Sequence, residues 1–358
     1  MKIGILTQPL GHNYGGILQN YALQQVLKGL GHKPLTINLG QTFFGYMVFC
    51  CKALIFRALG KKRPFPKRVI PQRKVTTDFI EKNIDRTSLL TFPTPFLLYK
   101  YGFQCMISGS DQVWRPEYNK GRSLERMYQN FVWGKKCKQI AYAASFGVDF
   151  WEYNNEQTEQ CAKLAKRFGA ISVREKSGIT LCKEHLGVEA IEVVDPTLML
   201  TAEHYASLCK NIPCKKEKFV AAYVLDLEDE KREKVEKFAE TVGMPLQLFS
   251  AGKDANLTVE EWLSIFRDAS FVITDSFHGT VFSIINHKPF ISIANAERGA
   301  SRFHSLLEKF DLESRLISDF AELKPLPEID WASVDAKIAK WQEISKNFLE
   351  TALCLKSV

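Results

Sequence analysis

Short apolar runs recur along this chain, and most of them end in a turn of Gly, Ser, Thr, Asp or Pro that leads into a segment with apolar residues at helical spacing. A strand that is apolar throughout rather than alternating is covered on both faces, as happens when crossover helices connect parallel strands. The pattern therefore restricts the chain to an α/β fold built on parallel sheets. The runs fall at 2–7, 34–39, 105–108, 139–146, 170–174 and 190–194, and after Asp195-Pro196 at 219–225, 246–249, 271–274 and 290–293. Helical spacing occupies 17–30, 156–168, 177–186, 202–210, 228–242, 259–268, 278–286 and 302–311. Glu228/Arg232, Glu230/Lys234 and Glu233/Lys237 put i,i+4 pairs on a solvated face of one of these helices.

A chain of 358 residues exceeds what one core usually holds, so the pattern predicts two Rossmann-like domains facing a cleft. The expected boundaries are 1–198, carrying an apolar and basic insertion at 41–75, then 199–330, then a crossover helix at 331–358. That helix follows from Trp331, Val334, Ile338, Trp341, Ser345, Phe348 and Ala352, whose spacing lets one face pack across both domains. Hydrophobic residues at 46% and charged residues at 25% exclude a disordered, collagen-like or coiled-coil chain.

The insertion is the least ordinary stretch. From Phe43 to Leu59 only Lys52 and Arg57 are charged, and Lys61-Lys62-Arg63, Lys67-Arg68 and Arg73-Lys74 follow with no acidic residue before Asp78. It is short for a bilayer span, which needs about 20 mostly apolar residues. One reading is a helix lying on an anionic membrane surface through 43–74, anchored by its basic tail; the other is a helix packed between domains ahead of a solvated basic loop. That tail holds nearly all of the net charge of +8. The aromatic interleaving of a base-stacking groove is absent, so nucleic acid is not expected as a partner. Nine scattered cysteines without a CxxC pair suit a reducing cytoplasm, the opening residues do not read as a secretory leader, and no metal-ligand spacing is evident.

Open α/β sheets bind ligands beyond the carboxyl ends of their strands, so chemistry is sought in the strand-to-helix turns. In the first, His12 and Asn13 precede Tyr14, Gly15 and Gly16 at a helix N-terminus, an anion or sugar cradle or else only a tight turn. The second, Ser108-Gly109-Ser110-Asp111-Gln112-Val113-Trp114, offers hydroxyl, amide and carboxylate groups beside a ring that could stack on a sugar, or a polar turn beside a core tryptophan. The third, Thr274-Asp275-Ser276-Phe277-His278-Gly279-Thr280, places an imidazole among helix-end N–H groups, which suits an anion whose protons must be moved. Arg174 at a strand end, and Arg298 and Arg302 around Gly299-Ala300-Ser301, suit carboxylate or phosphate, although each alone also reads as a surface charge. Asp111 or Asp275 could deprotonate an attacking hydroxyl, or cap its own turn.

At these positions the chain resembles the polysaccharide pyruvyl transferase family. The resemblance rests on Lys2-Ile3-Gly4-Ile5-Leu6-Thr7 with Asn13-Tyr14-Gly15-Gly16, on the second turn, and on Ala141-Tyr142-Ala143-Ala144-Ser145-Phe146-Gly147. It continues through Ser172-Val173-Arg174-Glu175, Asp195-Pro196-Thr197, the third turn and Arg298-Gly299-Ala300-Ser301-Arg302-Phe303. It implies a glycosyltransferase-B-like fold with the acceptor on the N-terminal side and the donor on the C-terminal side. It implies phosphoenolpyruvate as donor substrate, no cofactor, and as acceptor a sugar, free or on a lipid-linked oligosaccharide, of which two hydroxyls become a cyclic ketal. His278 resembles the family's active-site histidine and Arg174 one of its anion-binding arginines. Ser276 stands where many members carry arginine, so Arg298 and Arg302 are the candidates to supply that charge. With Ser276, Gly279 and Thr280 they form the expected donor-binding set, and Ser110, Gln112 and Trp114 join residues 12–16 on the acceptor side. A sugar transferase using a nucleotide donor and a non-catalytic carbohydrate-binding relative are the other readings.

Overall fold

The computed structural model describes residues 1–40, 43–60, 74–134, 137–225, 227–250, 256–294 and 299–354. Its strands are β1 (Lys2–Leu6), β2 (Lys33–Thr36), β3 (Cys105–Ser108), β4 (Lys138–Ala144), β5 (Ala170–Val173) and β6 (Ile191–Glu192), then β7 (Val220–Tyr223), β8 (Leu246–Phe249), β9 (Phe271–Thr274), β10 (Phe290–Ile293) and β11 (Leu316–Ile317). The first six form a parallel sheet in the order β2-β1-β3-β4-β5-β6, and the rest a parallel sheet in the order β11-β10-β9-β7-β8. Each sheet reverses direction once, at β1/β3 and at β7/β9, which is where such sheets leave a crevice for ligands.

The helices are α1 (Tyr14–Gly29), α2 (Phe43–Ala58), α3 (Thr77–Asn83), α4 (Pro95–Tyr101), α5 (Arg122–Met127), α6 (Asn155–Ala165), α7 (Ser177–Leu181), α8 (Ala202–Leu208), α9 (Asp229–Thr241), α10 (Val259–Asp268), α11 (Phe277–Ile285), α12 (Ser301–Glu308) and α13 (Trp331–Cys354). Their starts are set by local chemistry. Thr258 and Glu261 exchange bonds in a capping box at α10, as do Asn154 and Gln157 at α6, and the Asn13 side chain accepts from the Gly16 N–H at α1.

Packing couples the two domains. Tyr14, Ile17, Leu18 and Tyr21 of α1 belong to the same buried cluster as Trp262, Phe266 and Phe282 of the second domain. Tyr14 stacks on Trp262 with centroids 5.6 Å apart and donates its hydroxyl to the Leu257 carbonyl at 2.7 Å. Helix α13 starts on the second domain, where Val334 is buried and Trp331 stacks on His287 at 4.9 Å. It ends on the first, with Leu349, Ala352 and Leu353 packed against Ile3, Cys105 and Ile140. Near its middle, the Ser345 hydroxyl accepts from the Val194 N–H at 3.0 Å, just before the turn at Asp195.

Two expectations need correction. Helix α2 is not sandwiched between domains: Gly45 and Ala53 are buried, whereas Leu54 and Ile55 are 55% and 58% exposed. The strand expected at 190–194 is paired only at Ile191–Glu192, because Asp195-Pro196 begins a 3-10 turn that the Asp195 side chain caps. Residues 61–73 of the basic tail lie outside the described residues.

Candidate functional site

Six strand ends deliver their next residues to one place. After β3 come Ser110 and Asp111, after β5 Arg174 and Glu175, after β6 Asp195, after β9 the start of α11 with Phe277 and His278, after β10 the start of α12 with Arg302, and after β1 the glycines of α1. At the centre is Asp195, 1% exposed and surrounded by donors. Its Oδ1 accepts from the Thr197 N–H at 3.0 Å and the Thr197 hydroxyl at 2.7 Å. Its Oδ2 accepts from Arg174 at 2.7 Å and from the Ser110 hydroxyl at 3.2 Å, and lies 3.7 Å from His278 Nε2. Burial alone would raise this carboxyl, but His278, Arg174 and Thr197 together outweigh it and hold the group well below the usual carboxylate range.

Arg174, itself 3% exposed, reaches Asp111 Oδ1 with its other terminal nitrogen at 3.4 Å. Burial works against its charge, yet the two aspartates and Glu175 more than compensate and raise its pKa. Its guanidinium lies 4.4 Å from the Phe277 ring centroid, and that of Arg302 lies 5.6 Å from the same centroid. Two buried cations thus share one phenyl ring. Burial, then the charge of Arg174, pushes Arg302 down to about 10. Glu175 is buried nearby, one carboxylate oxygen accepting from the Phe146 N–H at 2.8 Å and the Gly147 N–H at 3.2 Å.

Sterics fix the position of His278. A Cβ on Gly15 would overlap its imidazole, so the ring of one domain rests against the bare backbone of the other. A second such approach occurs at Gly299, where φ is +89° and a Cβ would overlap the Gly147 carbonyl. His12 is half-buried and Asn13 exposed ahead of α1. Burial, then Lys74, lowers the pKa of His12.

Other sequence candidates are engaged in core packing or in bonds to the scaffold. Trp114 is fully buried, stacked on Tyr128 with centroids 4.7 Å apart, so it is a core ring and no platform for a sugar. Tyr14 is likewise consumed by Trp262 and Leu257, and the Gly16 N–H is taken by its own cap. Gly279 faces β9, where a Cβ would overlap Thr274, and the Thr280 hydroxyl bonds Ser292 at 2.6 Å. The Ser276 hydroxyl accepts from the Gly279 N–H at 3.3 Å as the α11 cap, Asp275 accepts from the Leu225 N–H at 2.8 Å, and the Gln112 side-chain carbonyl accepts from Arg115 at 3.2 Å. Arg298 lies outside the described residues. Sequence reasoning missed Asp195 and Phe277 as site residues. The signal for Asp195 is a carboxylate ending the apolar run Val193-Val194 directly before proline.

The model of polysaccharide pyruvyl transferases matches residues 13–297, a stretch that contains Gly15, Asp111, Arg174, Asp195 and His278. The chain belongs to the polysaccharide pyruvyl transferase family. Membership makes it a transferase, and confirms the resemblance drawn from the motifs. A search of curated proteins gives no significant match. Among solved structures, UDP-GlcNAc 2-epimerase from Methanocaldococcus jannaschii is 12% identical with a TM-score of 0.47, covering 97% of this chain and 93% of its own. The Neisseria meningitidis UDP-GlcNAc 2-epimerase, solved with UDP-GlcNAc bound, is 8% identical with a TM-score of 0.47, covering 100% of this chain and 95% of its own. No helix among the described residues is long and apolar enough to cross a membrane.

Proposed function

We propose that this pyruvyl transferase moves the enolpyruvyl group of phosphoenolpyruvate onto two hydroxyls of one sugar in a surface polysaccharide, such as a capsule or exopolysaccharide, or in its precursor. The observation that carries the reading is His278 against Gly15 and 3.7 Å from Asp195, beside two buried arginines that share the Phe277 ring. Fixed positive charge and a group that moves protons are what this donor demands. Arg302 and Arg174 hold the carboxylate and phosphate. His278 gives a proton to C3, making it a methyl carbon and C2 an oxocarbenium-like centre. The first sugar hydroxyl adds at C2 and loses its proton to Asp111 or to returning His278. The second hydroxyl then adds as the C2–O bond to phosphate breaks, and its proton leaves with the phosphate. One donor and two hydroxyls thus become one ketal and one phosphate, with no redox change, cofactor or metal.

His12 and Asn13 line the approach of the acceptor. A donor of cytosolic metabolism places the protein in the cytoplasm, and a lipid-linked acceptor places it at the inner face of a membrane. Thermal unfolding with phosphoenolpyruvate or with nucleotide sugars tests the donor. A ligand at a hundred times its Kd adds about 2.7 kcal/mol, so phosphoenolpyruvate raises Tm in the native protein and not in Arg174→Ala. A rise with nucleotide sugars alone assigns the cleft to sugar transfer instead.

A further inference from the structure

Helix α2 packs on the protein through Gly45 and Ala53 and turns an apolar face to water. Met47, Cys51, Leu54 and Ala58 recur at i, i+4, i+7 and i+11, one stripe along a helix, and all four are exposed. Ile55 and Leu59 widen it, at 58% and 68% exposure. By helical geometry Lys52 and Arg57 fall on opposite borders of the stripe. A helix this apolar is ordinarily buried, and an exposed one of this kind marks an interaction surface.

Charge identifies what covers it. Residues 1–77 contain twelve Lys and Arg and no Asp or Glu, a charge of +12, so the remaining residues carry 36 basic against 40 acidic side chains, or −4. The whole basic excess of the chain is therefore in the segment that carries α2. An apolar stripe bordered by cations, in a stretch of sequence without a carboxylate, complements an anionic bilayer surface: the stripe enters the headgroup boundary while the long cationic side chains of Lys52 and Arg57 face the phosphates. A stripe of this spacing would also seat a partner helix, but such a helix would need an unbroken acidic face to match the one-signed charge, which an anionic leaflet presents everywhere.

We infer that α2 is a membrane-docking helix that lies in the plane of an anionic leaflet and holds the cleft at the surface where a lipid-linked acceptor is presented. The inference rests on the proposed lipid-linked acceptor for its purpose, though not for its evidence. The test is co-sedimentation of the full chain with phosphatidylcholine vesicles, with and without phosphatidylglycerol, at low and high salt, alongside gel filtration and the phosphoenolpyruvate thermal shift.

Binding to the anionic vesicles that weakens with salt is expected. Leu54→Glu/Ile55→Glu should weaken it at least about tenfold per side chain; both positions are exposed, so the variant keeps its Tm. Lys52→Glu/Arg57→Glu should abolish the preference for phosphatidylglycerol. Equal sedimentation of native protein and Leu54→Glu/Ile55→Glu overturns the inference. So does a native dimer that this variant splits while neither form binds vesicles, which would assign the stripe to a second copy of the chain. Native protein that shows the phosphoenolpyruvate shift but binds neither kind of vesicle sinks only the docking helix, and native protein that binds anionic vesicles but shows no phosphoenolpyruvate shift sinks only the donor.

Discussion

Asp195→Asn removes one charge and almost no volume, and the structure fixes what that costs. Both carboxylate oxygens of Asp195 accept from donors only: two groups of Thr197 on Oδ1, Arg174 and Ser110 on Oδ2. An amide NH2 in either orientation would face a donor, and Arg174 would keep only Asp111, at 3.4 Å. Breaking a buried pair from one side typically costs about 3–5 kcal/mol, a large part of the roughly 5–15 kcal/mol that holds a typical protein folded. Urea unfolding of native protein and variant should show a loss in that range at neutral pH. The pH dependence has a definite sign. Because the folded carboxyl titrates below its ordinary 3.8, its contribution is complete above that value and fades as pH falls through the lowered folded pKa. The gap between native protein and variant should therefore narrow as pH falls below about 4. A neutral-pH loss under about 1 kcal/mol, or a gap that persists unchanged in acid, would refute the charge network as described.

Other substitutions separate chemistry from scaffold. In Gly15→Ala the new methyl group overlaps the His278 ring, so phosphate release should fall by about a hundredfold while phosphoenolpyruvate still raises Tm; unchanged turnover would free His278 from this contact. In Arg302→Met, which keeps the length of the side chain and removes its charge, the phosphoenolpyruvate shift should disappear; a full shift would remove Arg302 from the donor site. Trp114→Ala should cost about 3–5 kcal/mol in urea unfolding with no change in acceptor KM, since the ring is packed on Tyr128. A raised KM with unchanged stability would return Trp114 to the acceptor.

Much of the fold is legible in the sequence because a doubly covered parallel strand has an unambiguous signature, and 246–249, 271–274 and 290–293 are strands to the residue. Helices α3, α4 and α5 are too short to establish a period, and β11 is two residues long, so neither kind of element stands out. The site is legible where one turn presents its own chemistry, as at His278. It is hidden where partners are distant along the chain: Ser110 and Asp195 meet across 85 positions. Nor does a turn reveal which way a ring points, and Trp114 goes inward because Tyr128, Phe146 and Phe168 surround it. Helix α2 shows the reverse case. Its composition reads as buried, and only the packing shows that Met47, Cys51, Leu54, Ile55 and Ala58 stay exposed while the side around Gly45 and Ala53 meets the protein.

The central claim is that His278 protonates C3 of phosphoenolpyruvate as two hydroxyls of one sugar capture C2. It is tested most directly by running the reaction in deuterium oxide with carbon-labelled donor and a panel of oligosaccharide acceptors, following phosphate and the new carbon by NMR. The account predicts one phosphate per ketal and one solvent deuteron in each ketal methyl, with both lost in His278→Ala. A product that keeps the methylene group, a methyl without deuterium, or native turnover by His278→Ala would contradict it.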